Sequence, residues 1–121
     1  MYGNVTTFRS GQGGTKMNSY NHVTLIGNLS TNPITKKVGK TKTKTTFRLA
    51  VNSYKREINY FNIVTWGKLA EISQDYLIKG KRVLVDGSIK IREELNNGER
   101  KWQTEILADN MKFLTTQKEE D

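Results

Sequence analysis

The sequence predicts an all-β domain with one short helix, a small five-stranded barrel whose helix lies between its third and fourth strands. Three observations carry that expectation. Residues 58–89 read as strand, helix and strand in one continuous run. Period-two stretches recur on both sides of that run. Asn32-Pro33, Gly67, Gly80 and Asn96-Asn97-Gly98 fall between the stretches, where turns or element ends would put them.

The elements follow in chain order. Residues 1–17 are polar, glycine-rich near their end and without a sustained period, so a disordered extension is expected ahead of a domain over 18–115, with a short polar end over 116–121. In His22–Ser30, Val23, Leu25 and Gly27 share one side and Thr24 and Ile26 the other; Gly27 within the strand predicts a bend or bulge. Asn32-Pro33 marks a break, and Lys36–Thr46 then reads as one extended segment with Lys40, Lys42 and Lys44 on a common face. Thr45–Ser53 continues as strand, with Phe47, Leu49 and Val51 inward and Arg48 outward, and Tyr54, Lys55 and Arg56 finish it.

Over Tyr60–Trp66 the alternation sets Tyr60, Asn62, Val64 and Trp66 on one face and Phe61, Ile63 and Thr65 on the other. Gly67 releases that strand. Leu69, Ile72, Tyr76 and Leu77 recur at helical spacing from Lys68 until Gly80. Val83 and Val85 restart a strand that runs through Ser88–Glu94; Asn96-Asn97-Gly98 turns it, and Glu99–Leu107 pairs back. Met111, Phe113 and Leu114 form a last apolar segment.

The 121 residues bound the chain to one domain, and a 35% hydrophobic content suits a small β core. There is no cysteine and one histidine, His22, which removes disulfides, thiol nucleophiles and cysteine-based zinc sites by inventory. No motif places a nucleophile and an acid around His22, Gly67–Glu71 lacks phosphate-loop spacing, and Gly11–Gly14 has neither strand before it nor helix after it. No catalytic residue, metal site or cofactor is expected; Glu93, Glu94 and Glu99 read as solubilising charge around a hairpin. No apolar run reaches membrane-span length and Met1–Lys16 lacks a secretory core, so the expected location is the cytoplasm beside the nucleoid, with a mitochondrial or other organellar matrix as the alternative.

Net charge is +8, and its distribution says more than its size. Residues 1–56 hold ten lysines and arginines and no acid, a front part of +10, while the remaining ten share the rest of the chain with all twelve acids, a back part of −2. A polyanion is the partner this asymmetry implies. Candidate phosphate contacts are Lys36, Lys37, Lys40, Lys42, Lys44, Arg48, Lys55, Arg56, Lys90 and Arg92. Lysines on an extended strand also protect an edge against aggregation, and both roles stay open. Tyr54, Tyr60, Trp66 and Trp102 sit in or beside polar, basic segments, where a base could stack on each ring. For Trp66 a core position at the strand–helix junction is the competing reading.

The blocks Asn21–Leu29, Phe47–Asn52, Tyr60–Glu71, Tyr76–Gly87 and Thr104–Leu114 come in an order that resembles the bacterial and mitochondrial single-stranded DNA-binding (SSB) proteins, over about residues 18–114. The resemblance implies an oligonucleotide/oligosaccharide-binding (OB) barrel, a homotetramer, and single-stranded DNA bound without sequence preference in replication, recombination and repair. It implies stacking at Tyr60 and Trp66, where the family has a tryptophan and a phenylalanine, and at Tyr54, near another family tryptophan. A further family aromatic falls near Glu94 or Leu95 and is missing, while Trp102 stands where the family usually has tyrosine. The sequence ends at Glu119-Glu120-Asp121 without the glycine- and proline-rich, acidic-tipped tail of bacterial members, as in a truncated chain or in tail-less mitochondrial or mobile-element members. Recruitment of replication proteins through such a tip is therefore not implied. An RNA-binding OB module and a primosome-type protein-binding adaptor stay open beside the DNA reading.

Overall fold

The computed structural model describes residues 19–114. Six strands and one helix follow in order: β1 (Val23–Leu29), β2 (Ile34–Val38), β3 (Lys42–Asn52), β4 (Ile58–Trp66), α1 (Gly67–Tyr76), β5 (Arg82–Asn96) and β6 (Glu99–Leu114). β1 pairs with β5, β5 with β6, β6 in parallel with β4, β4 with β3, and β3 with the end of β1 through Asn28↔Ala50 and Leu29↔Leu49. Five strands thus close a ring, with α1 between the third and fourth of them as the sequence predicts.

The sixth strand is the other half of the first. β2 runs along the same edge of β3 that the end of β1 occupies, from Ile34↔Thr46 to Val38↔Lys42. Between β1 and β2 the chain is interrupted over residues 30–33, where Ser30 N donates to Arg48 O at 2.8 Å and the Thr31 hydroxyl accepts from Arg48 N. Pro33 has no N–H to add to a ladder, so the break falls there without reversing the chain. The reversal comes later, at the turn before Lys42, with Gly39 at φ +70°. Lys36–Thr46 is therefore a hairpin and not one extended segment, which corrects the common face expected for Lys40, Lys42 and Lys44: Lys40 lies in the turn.

The inward side chains are those that the alternation selects. Leu49, Ile63, Val83 and Val85 are fully buried, each worth about 1.5–3 kcal/mol of transfer free energy. Leu29, Phe47, Leu77, Ile106 and Ala108 complete the core, and Val23, Leu25 and Met111 pack against it. α1 closes one side through Ala70 and Ser73; the buried Thr45 hydroxyl donates to Ala70 O at 2.9 Å, and the Thr65 hydroxyl to Thr45 O at 2.8 Å. The polar side chains beneath the helix are thereby satisfied.

Three local expectations change. The helix ends at Tyr76, not beside Gly80: Leu77 turns extended to bury its side chain, while Gly80, at φ +94°, sits in the following turn and donates to Leu29 O. Gly27 makes no register shift; a Cβ there would lie 2.3 Å from Ala50 O, so the glycine permits the crossing of β1 over β3. The ladder is shifted instead at Asp86/Gly87, and β6 runs unbroken into Met111–Leu114 to pair with Arg82–Val85. Beyond Ile89 the β5–β6 arm is largely solvent-exposed, closed by Asn97 and Gly98 with positive φ as a two-residue hairpin loop requires. The ends expected over 1–17 and 116–121 lie outside the described residues.

Candidate nucleic-acid interface

The outer side of β3 and β4 gathers the predicted side chains. Tyr60, Asn62 and Trp66 project outward from β4, with Val64 on the same side but buried, and the register places Ala50, Arg48, Thr46 and Lys44 beside these four. Lys36 pairs with Lys44 across β2 and β3, so the hairpin brings its lysines to the same side as Lys42. Directly opposed cations destabilise a sheet unless something neutralises them. From the other flank, Lys90 lies opposite Glu105, which itself lies opposite Asn62 in the parallel β4–β6 pair. One continuous face therefore carries Lys36, Lys42, Lys44, Arg48, Tyr60, Trp66, Lys90 and Arg92.

Each candidate ring on this side has a cation beside it. Lys44 Nζ is 5.5 Å from the Trp66 ring centre, the Arg48 guanidinium 4.9 Å from Tyr60, and Lys55 Nζ 5.9 Å from Tyr54. Such contacts are worth about 0.5–1 kcal/mol when exposed, enough to hold rings and charges in register without burying them. Trp66 is 39% exposed and Tyr60 50%, which removes the core alternative for Trp66. Its strand ends at the helix, but its face is the outer one.

Tyr54, Lys55 and Arg56 do not finish β3; they form the turn between β3 and β4, with Arg56 at φ +69°. That turn lies beyond the Tyr60 end of β4, and Tyr54 is 87% exposed. Six residues of strand separate Tyr60 from Trp66, roughly 20 Å. The rings are spaced for different nucleotides. Trp102 does not join them: it pairs with Glu93, on the side of the arm opposite to Lys90, Arg92 and Gln103. Lys37 likewise alternates away from Lys36, on the side of Thr43.

Arg92 is engaged by protein. Its Nε donates to Glu105 Oε2 at 2.8 Å and a terminal nitrogen to Glu94 Oε2 at 2.9 Å, while Gln103 donates to Glu94 Oε1. The hydrogen bond to Glu105, then that to Glu94, raise the Arg92 pKa above its ordinary value. Glu94 is thus an anchor and not merely solubilising charge, and Glu93 pairs with Arg100 at 3.1 Å. Sequence reasoning missed Glu105 altogether. Its alternation with Ile106 marks it as outward-facing, but its contact with Arg92 depends on the β5–β6 register and its neighbour Asn62 comes from a strand far away in sequence.

Two adjoining recesses open on this face. The wider, about 360 Å³, reaches from Lys44 and Arg48 to Asn62 and Arg92; the other, about 210 Å³, is bounded by Trp66, Lys90 and Leu107. Lys44, Val64, Arg92 and Glu105 border both. Among the described residues no group of three His, Asp or Glu side chains is placed to hold a metal, and no helix is long and apolar enough to cross a membrane.

A barrel with an aromatic and cationic outer face has known counterparts. The profile of the single-strand binding protein family matches residues 20–114, which span the whole ring of strands. The chain belongs to that family. A single-stranded DNA-binding protein of Caldanaerobacter subterraneus subsp. tengcongensis is 43% identical over 78% of this chain and 67% of its own length. That of Clostridium tetani is 41% identical over 78% of this chain and 70% of its own. Among solved structures, the Plasmodium falciparum SSB in complex with single-stranded DNA superposes with a TM-score of 0.77 at 28% identity, over 84% of this chain and 100% of that one. The family assignment and the barrel implied by the five sequence blocks agree with these matches.

Proposed function

We propose that the protein binds single-stranded DNA without regard to sequence and covers it during replication, recombination and repair. The observation that carries this reading is the set of three aromatic–cation pairs, Trp66 with Lys44 and Tyr60 with Arg48 on one face of a family barrel and Tyr54 with Lys55 in the turn beyond it. Bases stack on the rings; the phosphates between them are neutralised by Lys36, Lys42, Lys44, Arg48, Lys55 and Arg56, with Lys90 on the far flank. A duplex hides its base faces and gains nothing from the rings. No catalytic group is needed. Lys37 and Lys40 contribute from the margin, and Arg92 contributes once its carboxylates release it. Trp102 is reached only by a strand that rounds the β5–β6 arm.

Four copies assembled around one long strand would join such faces into a continuous path, and the family supports that homotetramer. The bacterial relatives support a place in the cytoplasm, with the nucleoid. The domain that does this work is residues 18–115, with 1–17 and 116–121 outside it.

The test is competition at fixed salt among oligo(dT), an RNA oligonucleotide of equal length and a duplex, repeated as salt is raised. Oligo(dT) should win against both, and its affinity should fall with a log–log slope of about −0.7 for each phosphate neutralised. RNA binding as tightly as DNA would favour an RNA-binding barrel, since stacking and phosphate contact alone do not read the sugar. Absence of binding at low salt, with a protein partner retained, would favour the adaptor reading.

A further inference from the structure

A carboxylate stands in the middle of an otherwise cationic face. The Glu105 side chain is 14% exposed, and its Oε2 is held by Arg92. Its Oε1 accepts no hydrogen bond among the described residues, yet it is not sealed from solvent, and Glu105 borders both recesses. Oε1 is thus an open acceptor that water serves until a donor on a ligand displaces it. Arg92, clamped by Glu94 as well, fixes the carboxylate in place. Trp66 and Lys44 stand together with Glu105 at the smaller of these recesses, an exposed ring and a cation 5.5 Å from its centre.

We propose that this recess is a base subsite that prefers a base with an exocyclic amino group beside a ring acceptor, cytosine or adenine, over thymine. The proposal rests on the single-strand binding reading above. The amino N–H of the base donates to Glu105 Oε1, the neighbouring ring nitrogen faces the Lys44 ammonium, and the base plane lies against Trp66. Thymine presents its O4 carbonyl where the amino group would be, and two acceptors then meet with no proton between them. The recess beside Trp66, about 210 Å³, is smaller than the cavities that enclose whole ligands and leaves room for one base and not for a folded strand. Glu105 thereby superimposes a modest base preference on binding that the other rings leave indifferent to sequence.

The experiment compares (dC)n with (dT)n of one length at one salt concentration, for the full chain and its Glu105→Gln variant. Glutamine keeps the shape and removes the charge. It also frees Arg92 to strengthen phosphate binding, but that gain applies to both oligonucleotides and cancels in their ratio. The affinity ratio of (dC)n to (dT)n should fall about 5- to 10-fold in the variant, the difference between a charge-assisted and a neutral hydrogen bond. A second arm leaves the protein untouched: an oligonucleotide of N4,N4-dimethylcytosine, which has lost its donors, should bind the wild-type chain several-fold more weakly than (dC)n. An unchanged ratio in the variant, together with equal binding of the dimethylated strand, would mean that Glu105 only holds Arg92 and would overturn the inference. Failure of the wild-type chain to bind either oligonucleotide would overturn the reading beneath it, and the inference with it.

Discussion

Single side chains on the outer face should separate binding from folding. Tyr60 is half exposed with the Arg48 guanidinium over its ring, so Tyr60→Ala should give up only about 1 kcal/mol of folding stability. Its loss of affinity for oligo(dT) should be larger, about 1–3 kcal/mol, the general range for base stacking in single-strand binders of this class. Thermal melting and a binding titration on the same sample check both; a large melting shift with unchanged affinity would make Tyr60 structural. Gly87 is the converse. A Cβ there would sit 2.1 Å from Leu107 O, so Gly87→Ala must push β5 from β6 and should cost at least about 1–3 kcal/mol, read in the denaturation midpoint. The two cases also show what a residue's sequence context reveals. Period two placed Tyr60 and Trp66 on one face because alternation is local. It did not mark Gly87 over Gly27 as the shifted position, because a β-bulge depends on what the partner strand presents.

At the level of elements, the β2–β3 hairpin was the part least legible in the sequence. Lys36–Thr46 has the composition of an uninterrupted strand, and only the positive φ of Gly39 reverses it. Where the chain turned was hidden, but the lysines' shared destination was not: Lys36, Lys42 and Lys44 reach one side by cross-strand pairing instead of by alternation along one strand. Replacing these three by glutamine should reduce the magnitude of the salt slope by up to roughly 2, at about 0.7 per lost phosphate contact, while relieving the Lys36–Lys44 repulsion and leaving the fold intact. A slope identical to wild type would reduce the hairpin's lysines to edge protection. The β5–β6 arm repeats the lesson. Its turn was plain from Asn97-Gly98, whereas the Arg92–Glu94–Glu105 network and the far-side position of Trp102 depend on the register of two strands and on the parallel pairing with β4.

For the whole molecule, the closed ring was legible because helix, glycine and strand signals follow one another over residues 58–89, and the closing pair between β1 and β3 was not, since it rests on two residue pairs. Light scattering should report a mass four times that of the 121-residue chain, and a monomer at micromolar concentration would remove the basis for wrapping a long strand. The central claim, that the β3–β4 face is the DNA platform, has a direct optical reporter because Trp66 and Trp102 are the two tryptophans and lie on opposite sides of the sheet. Intrinsic fluorescence should therefore be followed while poly(dT) is added to the wild-type chain, to Trp102→Phe and to Trp66→Phe. Strong quenching retained in Trp102→Phe and largely lost in Trp66→Phe is the predicted result; quenching that vanishes in Trp102→Phe and persists in Trp66→Phe would place the strand on the arm and contradict the account.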